Sequence, residues 1–343
     1  MSESAGVNAP WRIAWSHGRA AIEPVGAMLG PVEFRLPDGR NVQPFDIFPW
    51  ADEPTPHGEV PPTGLMARGR GEWPCVPFGY PRPAEALAPD WAACGMTPGD
   101  DPPHGYGANA PWTVTDRSAD AIALEIAYPE TSPIVALRRW IAGSHGEPGL
   151  RLALEIEVRR ACRLPIGLHP TFRMPGAPGG LTVAPGRFAF GMTWPGDLEP
   201  GASRLAMASR FDSLAAVPLR VGGRIDLTRL PLPEPVEELV LLCGVDGHVA
   251  LRNEHEGYAV RLAWDPVVLP SCVLWISNGG RTYWPWNGRH YGLGVEPVCA
   301  AFDLGVDASV RDNPLKPLGV PTAVALAPGA VWRTEYAISV IPA

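Results

Sequence analysis

Helical periodicity, clustered positive charge and long apolar runs are all scarce in this 343-residue chain. Ala84–Ala93 is a short-helix candidate bracketed by prolines, so helices should be few and short. No apolar run approaches the roughly 20 residues a spanning helix needs, which argues against a membrane partner. The net charge is −8, and no basic, aromatic-laced stripe exists to hold nucleic acid. The six cysteines, Cys75, Cys94, Cys162, Cys243, Cys272 and Cys299, show no C-x-x-C spacing. The N-terminus lacks a basic start followed by an apolar segment. The cysteines therefore read as reduced, buried thiols of a cytoplasmic protein. No Ser/Gly run, charge block or low-complexity stretch marks a linker, so residues 1–343 are expected to form a single domain.

Cofactor signatures are missing too. There is no P-loop and no HExxH. Gly105-Tyr106-Gly107 is too little for a dinucleotide loop. His145-Gly146-Glu147 supplies half of a zinc-deaminase signature without its P-C-x-x-C half. No cofactor and no metal are expected, which leaves acid–base work by side chains alone.

What the chain does have is a period of two. Leu150, Leu152, Leu154, Ile156 and Val158 alternate with Arg151, Glu155 and Glu157, the pattern of an antiparallel strand with one wet face. Ile122–Ile126 and Trp332–Val340 alternate similarly. Further strands are expected at Ala27–Leu36, Ile134–Trp140, Glu238–Cys243, His248–Arg252, Tyr258–Trp264, Ser271–Ser277 and Tyr291–Val295. Pro37-Asp38-Gly39, Asp246-Gly247, Glu256-Gly257 and Asn278-Gly279-Gly280 separate them. The 42 prolines and 38 glycines are spread along the chain, as many short elements joined by turns require. An all-β antiparallel sandwich or barrel follows. No fixed-period repeat suggests a propeller.

In three segments, polar residues sit among turn formers and aromatics. The first runs from Arg68 to Gly79 and resumes at Pro103–Trp112, offering Arg70 and His104 as hydrogen-bond donors, or a solvated Pro/Gly loop. The second is Gly167-Leu168-His169-Pro170-Thr171-Phe172, where His169 either caps a strand or does chemistry. The third is Tyr291–Ala300, in which Glu296 closes an apolar strand. A carboxylate there must find a partner, protonate, or face a wet cleft. Among the tryptophans, Trp73, Trp112, Trp194, Trp275, Trp284 and Trp286 are candidates to cover the apolar faces of a sugar.

At these segments the chain resembles the aldose 1-epimerase family, the galactose mutarotase-like proteins. The resemblance rests on Pro103-His104-Gly105-Tyr106 with Asn109 and Trp112, on Leu168–Phe172, and on Gly292-Leu293-Gly294-Val295-Glu296-Pro297, in that order. It implies an antiparallel β supersandwich with few short helices and a cleft for a small sugar. It implies His169 as general acid and Glu296 as general base, with His104, Arg70, Asn109 and Trp275 binding the sugar. Asp246 and Asp265 both stand for the family's sugar-binding Asp. The implied reaction interconverts α and β aldohexoses: a base takes the anomeric hydroxyl proton while an acid protonates the ring oxygen. The acid and base are expected to stand on opposite sides of the reacting centre. The alternatives are a non-catalytic sugar-binding protein, an epimerase for a hexose 6-phosphate held by Arg281 and Arg289, and a polysaccharide-acting enzyme. The oligomeric state is not legible.

Overall fold

The computed structural model describes residues 9–96, 99 and 101–343. Two large antiparallel sheets dominate. Among the described residues the outer sheet has nine strands, in the order Arg229–Leu230, Leu181–Pro185, His248–Asn253, Tyr258–Trp264, Val331–Pro342, Gly149–Val158, Ile134–Gly143, Ala121–Ala127 and Thr113–Arg117. The inner sheet has eight. It runs Arg210–Phe211, Phe190–Thr193, Val236–Cys243, Ser271–Asn278, Tyr291–Cys299, Ile166–Leu168 and Pro74–Cys75, with Thr171–Arg173 also paired to Tyr291–Cys299. Trp11–Trp15, Gly18–Ile22, Leu29–Arg35 and Asn41–Val42 form a smaller four-stranded sheet.

Alternation decides what each face holds. Leu150, Leu152, Leu154 and Ile156 of the outer sheet share one buried core with Val240, Leu242, Leu274, Ile276, Leu293 and Val295 of the inner sheet. The other face of the inner sheet carries Leu239, Leu241 and Val273, packed against Trp73, Phe78, Trp91 and Phe302. Helices among the described residues are short; the α-helix Gly305–Val310 has 6 residues. Ala84–Ala93 forms two 3-10 turns, Ala84–Ala86 and Pro89–Cys94, rather than a continuous helix, as Pro89 lacks the N–H that an α-helix through it would need.

One strand differs from its expected bounds in a way that matters. Tyr291–Cys299 continues through Glu296 and Pro297 instead of ending there. Pro297 has no N–H to give the ladder. The recorded pairs with the neighbouring strand lapse here, between Gly167–Val298 and Thr171–Gly294. No described helix is long and apolar enough to cross a membrane, and all six cysteines are free.

Candidate active site

The register of the inner sheet builds the site. Gly167 pairs with Val298, and Thr171 pairs with Gly294. Both pairs obey one register, which sets His169 directly across from Glu296. Facing positions on one side of an antiparallel pair bring their side chains together. His169 Nε2 lies 3.4 Å from Glu296 Oε1. The two groups touch side by side on one wall, a correction to the expectation that they flank the reacting centre from opposite sides. The neighbouring strands extend the same face: Val273 lies opposite Glu296, and Trp275 opposite Gly294. Glycine at position 294 leaves room for both side chains. A Cβ there would stand 2.3 Å from Glu296 Oε1 and 3.1 Å from Trp275 Cβ.

The pair forms part of a cleft of about 170 Å³, lined by Trp73, Trp275 and Trp286 with His104, Arg82, Arg281 and Asp303. His169 stacks on Trp73, ring centroids 4.2 Å apart, and His104 meets it edge-on at 5.0 Å. Its Nδ1 is 3.1 Å from Thr171 Oγ1. A larger hollow of about 620 Å³ lies beyond Tyr80, lined by prolines and glycines with Tyr106, Tyr128, Asp101 and Asp307. Among the described residues its lining shows no acid–base pair, which makes the smaller cleft the candidate site.

Burial sets the charges. Desolvation, with His104 as second cause, holds His169 well below the ordinary imidazole value. Desolvation, then the nearby Asp303 carboxyl, pushes Glu296 well above the ordinary carboxylate value. Both shifts favour the uncharged forms, neutral imidazole beside carboxylic acid. His104 is also held neutral, pushed down to about 3 by burial and by Arg82. Its Nδ1 accepts the Gly79 N–H at 3.3 Å, which leaves the ring proton on Nε2 as a donor.

This has a measurable consequence for stability. The unfolded chain protonates His104 near pH 6.5, whereas the fold resists down to about 3. The unfolded state then binds more protons, so this histidine lowers stability as pH falls below 6.5. Relative to wild type, His104→Asn should gain up to about 1.4 kcal/mol per pH unit on acidification. Urea unfolding of both proteins at pH 7 and pH 5 measures it; a constant difference would reject the neutral, buried assignment.

The other sequence candidates distribute unevenly. Arg70 is not among the cleft-lining residues; its guanidinium pairs with buried Glu23 at 3.1 Å and with Asp52 at 3.3 Å. Asn109 is also absent from the lining. It donates to the Pro103 and Gly105 carbonyls and accepts from Leu65 N–H, bracing the loop that carries His104. Asp246 accepts the Arg187 N–H, and Asp265 the Val267 N–H, both in turns away from the cleft. Trp112 and Trp194 are core residues, and Trp284 donates to the Val60 carbonyl. Arg281 reaches the cleft, but Glu237 at 3.2 Å and Glu199 at 3.4 Å already pair with it. Arg289 is bound to Glu53, outside the lining. Asp303 and Arg82 were not anticipated. Asp303 is half-buried; among the described residues its buried Oδ1 has no hydrogen-bond partner, and its Oδ2 lies 3.7 Å from Arg82. It lies seven residues after Glu296, and its acidic side chain after an apolar run was the available signal.

The architecture is that of the galactose mutarotase-like proteins. A galactose mutarotase related enzyme from Lactobacillus acidophilus superposes with a TM-score of 0.59 at 14% identity, over 96% of this chain and 97% of its own. An aldose epimerase homologue from C. elegans gives 0.60 at 12% identity, over 98% and 99%. A candidate aldose 1-epimerase from Escherichia coli K12 gives 0.64 at 16% identity, over 98% and 100%. No family model and no curated protein matches the chain.

Proposed function

We propose that the chain, as a single domain spanning 1–343, is an aldose 1-epimerase of the cytoplasm that acts on a free aldohexose. The observation that carries this is the buried His169–Glu296 contact in an aromatic-walled cleft. Two groups 3.4 Å apart on one wall suit two oxygens bonded to one carbon. The ring oxygen and the anomeric hydroxyl of a pyranose are such a pair.

A proton passing from Glu296 to His169 turns acid and imidazole into carboxylate and imidazolium, with no exchange with solvent. Glu296 then takes the anomeric hydroxyl proton while His169 protonates the ring oxygen. The C1–O5 bond breaks, and the carbonyl forms at C1. Rotation about C1–C2 and closure on the other face, with roles reversed, yields the second anomer. Each transfer partner contributes about 10²–10⁴-fold. His104 donates to a sugar hydroxyl, Asp303 Oδ1 accepts from one, and Trp275 and Trp286 cover the apolar face. The cleft cations favour an uncharged sugar over a phosphate ester, because Arg281 and Arg82 already face carboxylates.

Proton NMR exchange between anomers, across glucose, galactose and glucose 6-phosphate, tests the assignment. Acceleration with the free hexoses is expected, and none with any aldose would overturn it. The pH profile is the second check. Activity needs one proton on the pair; protonating the imidazole as well removes it. Because His169 is depressed, the acid limb of kcat/KM should lie below pH 6.5, the ordinary imidazole value. An acid limb at or above that pH contradicts the buried pair.

A further inference from the structure

Behind the cleft wall runs a buried chain of polar groups that the proposed chemistry does not use. Asp46 Oδ2 lies 2.8 Å from His290 Nε2, and His290 Nδ1 lies 2.8 Å from Ser277 Oγ. The Ser277 hydroxyl donates to Glu237 Oε2 at 3.0 Å. Glu237 Oε1 receives the Trp275 indole N–H at 2.6 Å and faces Arg281 Nη2 at 3.2 Å. Asp46, His290, Ser277 and Glu237 are all buried, and none of them lines the cleft. Trp275 and Arg281, at the far end, do line it.

Burial pushes the Glu237 carboxyl upward, against the pull of Arg281, Trp275 and Ser277; with Glu237 as a carboxylate, every bond in the chain takes one direction. Glu237 faces three donors, namely the Ser277 hydroxyl, the Trp275 indole and the Arg281 guanidinium, and as a carboxylate it satisfies all of them. Ser277 has spent its only proton on Glu237, so it must accept from His290 Nδ1–H. Asp46 is an acceptor, so Nε2 must also donate. Both ring nitrogens of His290 therefore carry protons. The surroundings suit an imidazolium: Trp275 stacks on it at 5.5 Å, and Trp286 and Phe48 meet it edge-on at 5.2 and 5.3 Å. Gly292 makes the space. A Cβ there would fall 2.8 Å from His290 Cε1 and 3.3 Å from Asp46 Cγ.

We propose that His290 is a positioning residue, an imidazolium clamped between Asp46 and Ser277 that fixes Glu237 and thereby holds Trp275 and Arg281 against the sugar. The charges alternate along the chain as Asp46 negative, His290 positive, Glu237 negative and Arg281 positive, so no buried charge is left without a counterpart. Removing one member leaves the next misdirected, and the displacement arrives at the cleft as a tilted indole. The kinetic half of this proposal rests on the epimerase reading; the spectroscopic half does not.

The test uses the full chain at neutral pH. Nitrogen-15 NMR of the wild type should show both ring nitrogens of His290 protonated. In His290→Phe, which keeps a ring in the aromatic box, the Trp275 indole resonance (assigned with Trp275→Phe) should move. KM for the aldose should rise about tenfold, the scale of one buried hydrogen bond, with kcat within about twofold. Asp46→Asn, which preserves shape, should shift the same resonance in the same direction by less. A singly protonated His290 ring overturns the proposal. So does a folded His290→Phe protein with the Trp275 resonance and KM unmoved, because a purely structural residue would lower only the unfolding midpoint. Were the wild type to show no epimerase activity, the two NMR readouts alone would decide for or against the relay.

Discussion

Glu296→Gln is expected to abolish the acceleration of anomer exchange while leaving the fold intact. Gln keeps the size and one oxygen of the side chain, so it fits beside Gly294 and across from His169. It cannot hold or accept the transferred proton. The expected loss in kcat is about 10²–10⁴-fold, the contribution of one positioned proton-transfer group. His169→Asn should fall as far, and the double variant little further, because the two groups act as one unit and their losses do not add. Polarimetry of fresh α-glucose or α-galactose reads the rate, and near-ultraviolet circular dichroism reads the fold. Full activity in either single variant would sink the assignment.

The largest effect on stability is expected at Glu72. Its carboxylate pairs with Arg139 and accepts the Tyr336 hydroxyl at 2.7 Å, with both Glu72 and Arg139 fully buried. Arg139 comes from the outer sheet, whereas Glu72 precedes Trp73, the platform under His169. Burial pushes the Glu72 carboxyl upward against the pull of Arg139. Among the described residues Arg139 Nε and Nη1 have no hydrogen-bond partner, so its desolvation is only partly offset. Glu72→Ala would strand a charged guanidinium in the sandwich, at a cost of about 3–5 kcal/mol. Replacing the whole cluster (Glu72→Leu, Arg139→Met, Tyr336→Phe) should recover most of that loss, since buried pairs often do no better than apolar groups of like volume. Urea titrations measure both. A Glu72→Ala loss below about 1 kcal/mol would place it among ordinary substitutions and refute the argument.

Much of the fold was legible because alternation is a local signal. Tyr258–Trp264 matches its expected bounds, and Leu150–Val158 differs only by Gly149. The first hairpin, Trp11–Trp15 with Gly18–Ile22, was less visible: Ala20, Ala21 and Ile22 are consecutive buried residues, which breaks the alternation. The end of the Glu296 strand was misjudged because Pro297 looks like a terminator until the gap in its neighbour is seen. His169, Glu296 and His104 could be singled out because each sits in a short motif, and Trp275 because an indole can cover a sugar face. Arg70 and Asn109 stand in the same motifs, and the sequence gives no sign that their polar atoms are consumed by Glu23, Asp52 and loop carbonyls. Asp303 carried only the faint local signal of an acid after an apolar run, and the chain through His290 depends on contacts between residues as far apart as Asp46 and His290, which no local pattern records.

The two prolines beside the His169–Glu296 contact have a further consequence. Pro170 and Pro297 interrupt the ladder where His169 and Glu296 face each other, while conventional pairs resume on either side. A slip by a single residue would turn one partner's side chain toward the apolar core and leave the other without its proton relay. On the proposed epimerase reading, turnover per molecule doubles as an assay of strand alignment: a preparation with misaligned molecules loses specific activity in proportion, even where its overall β content looks native.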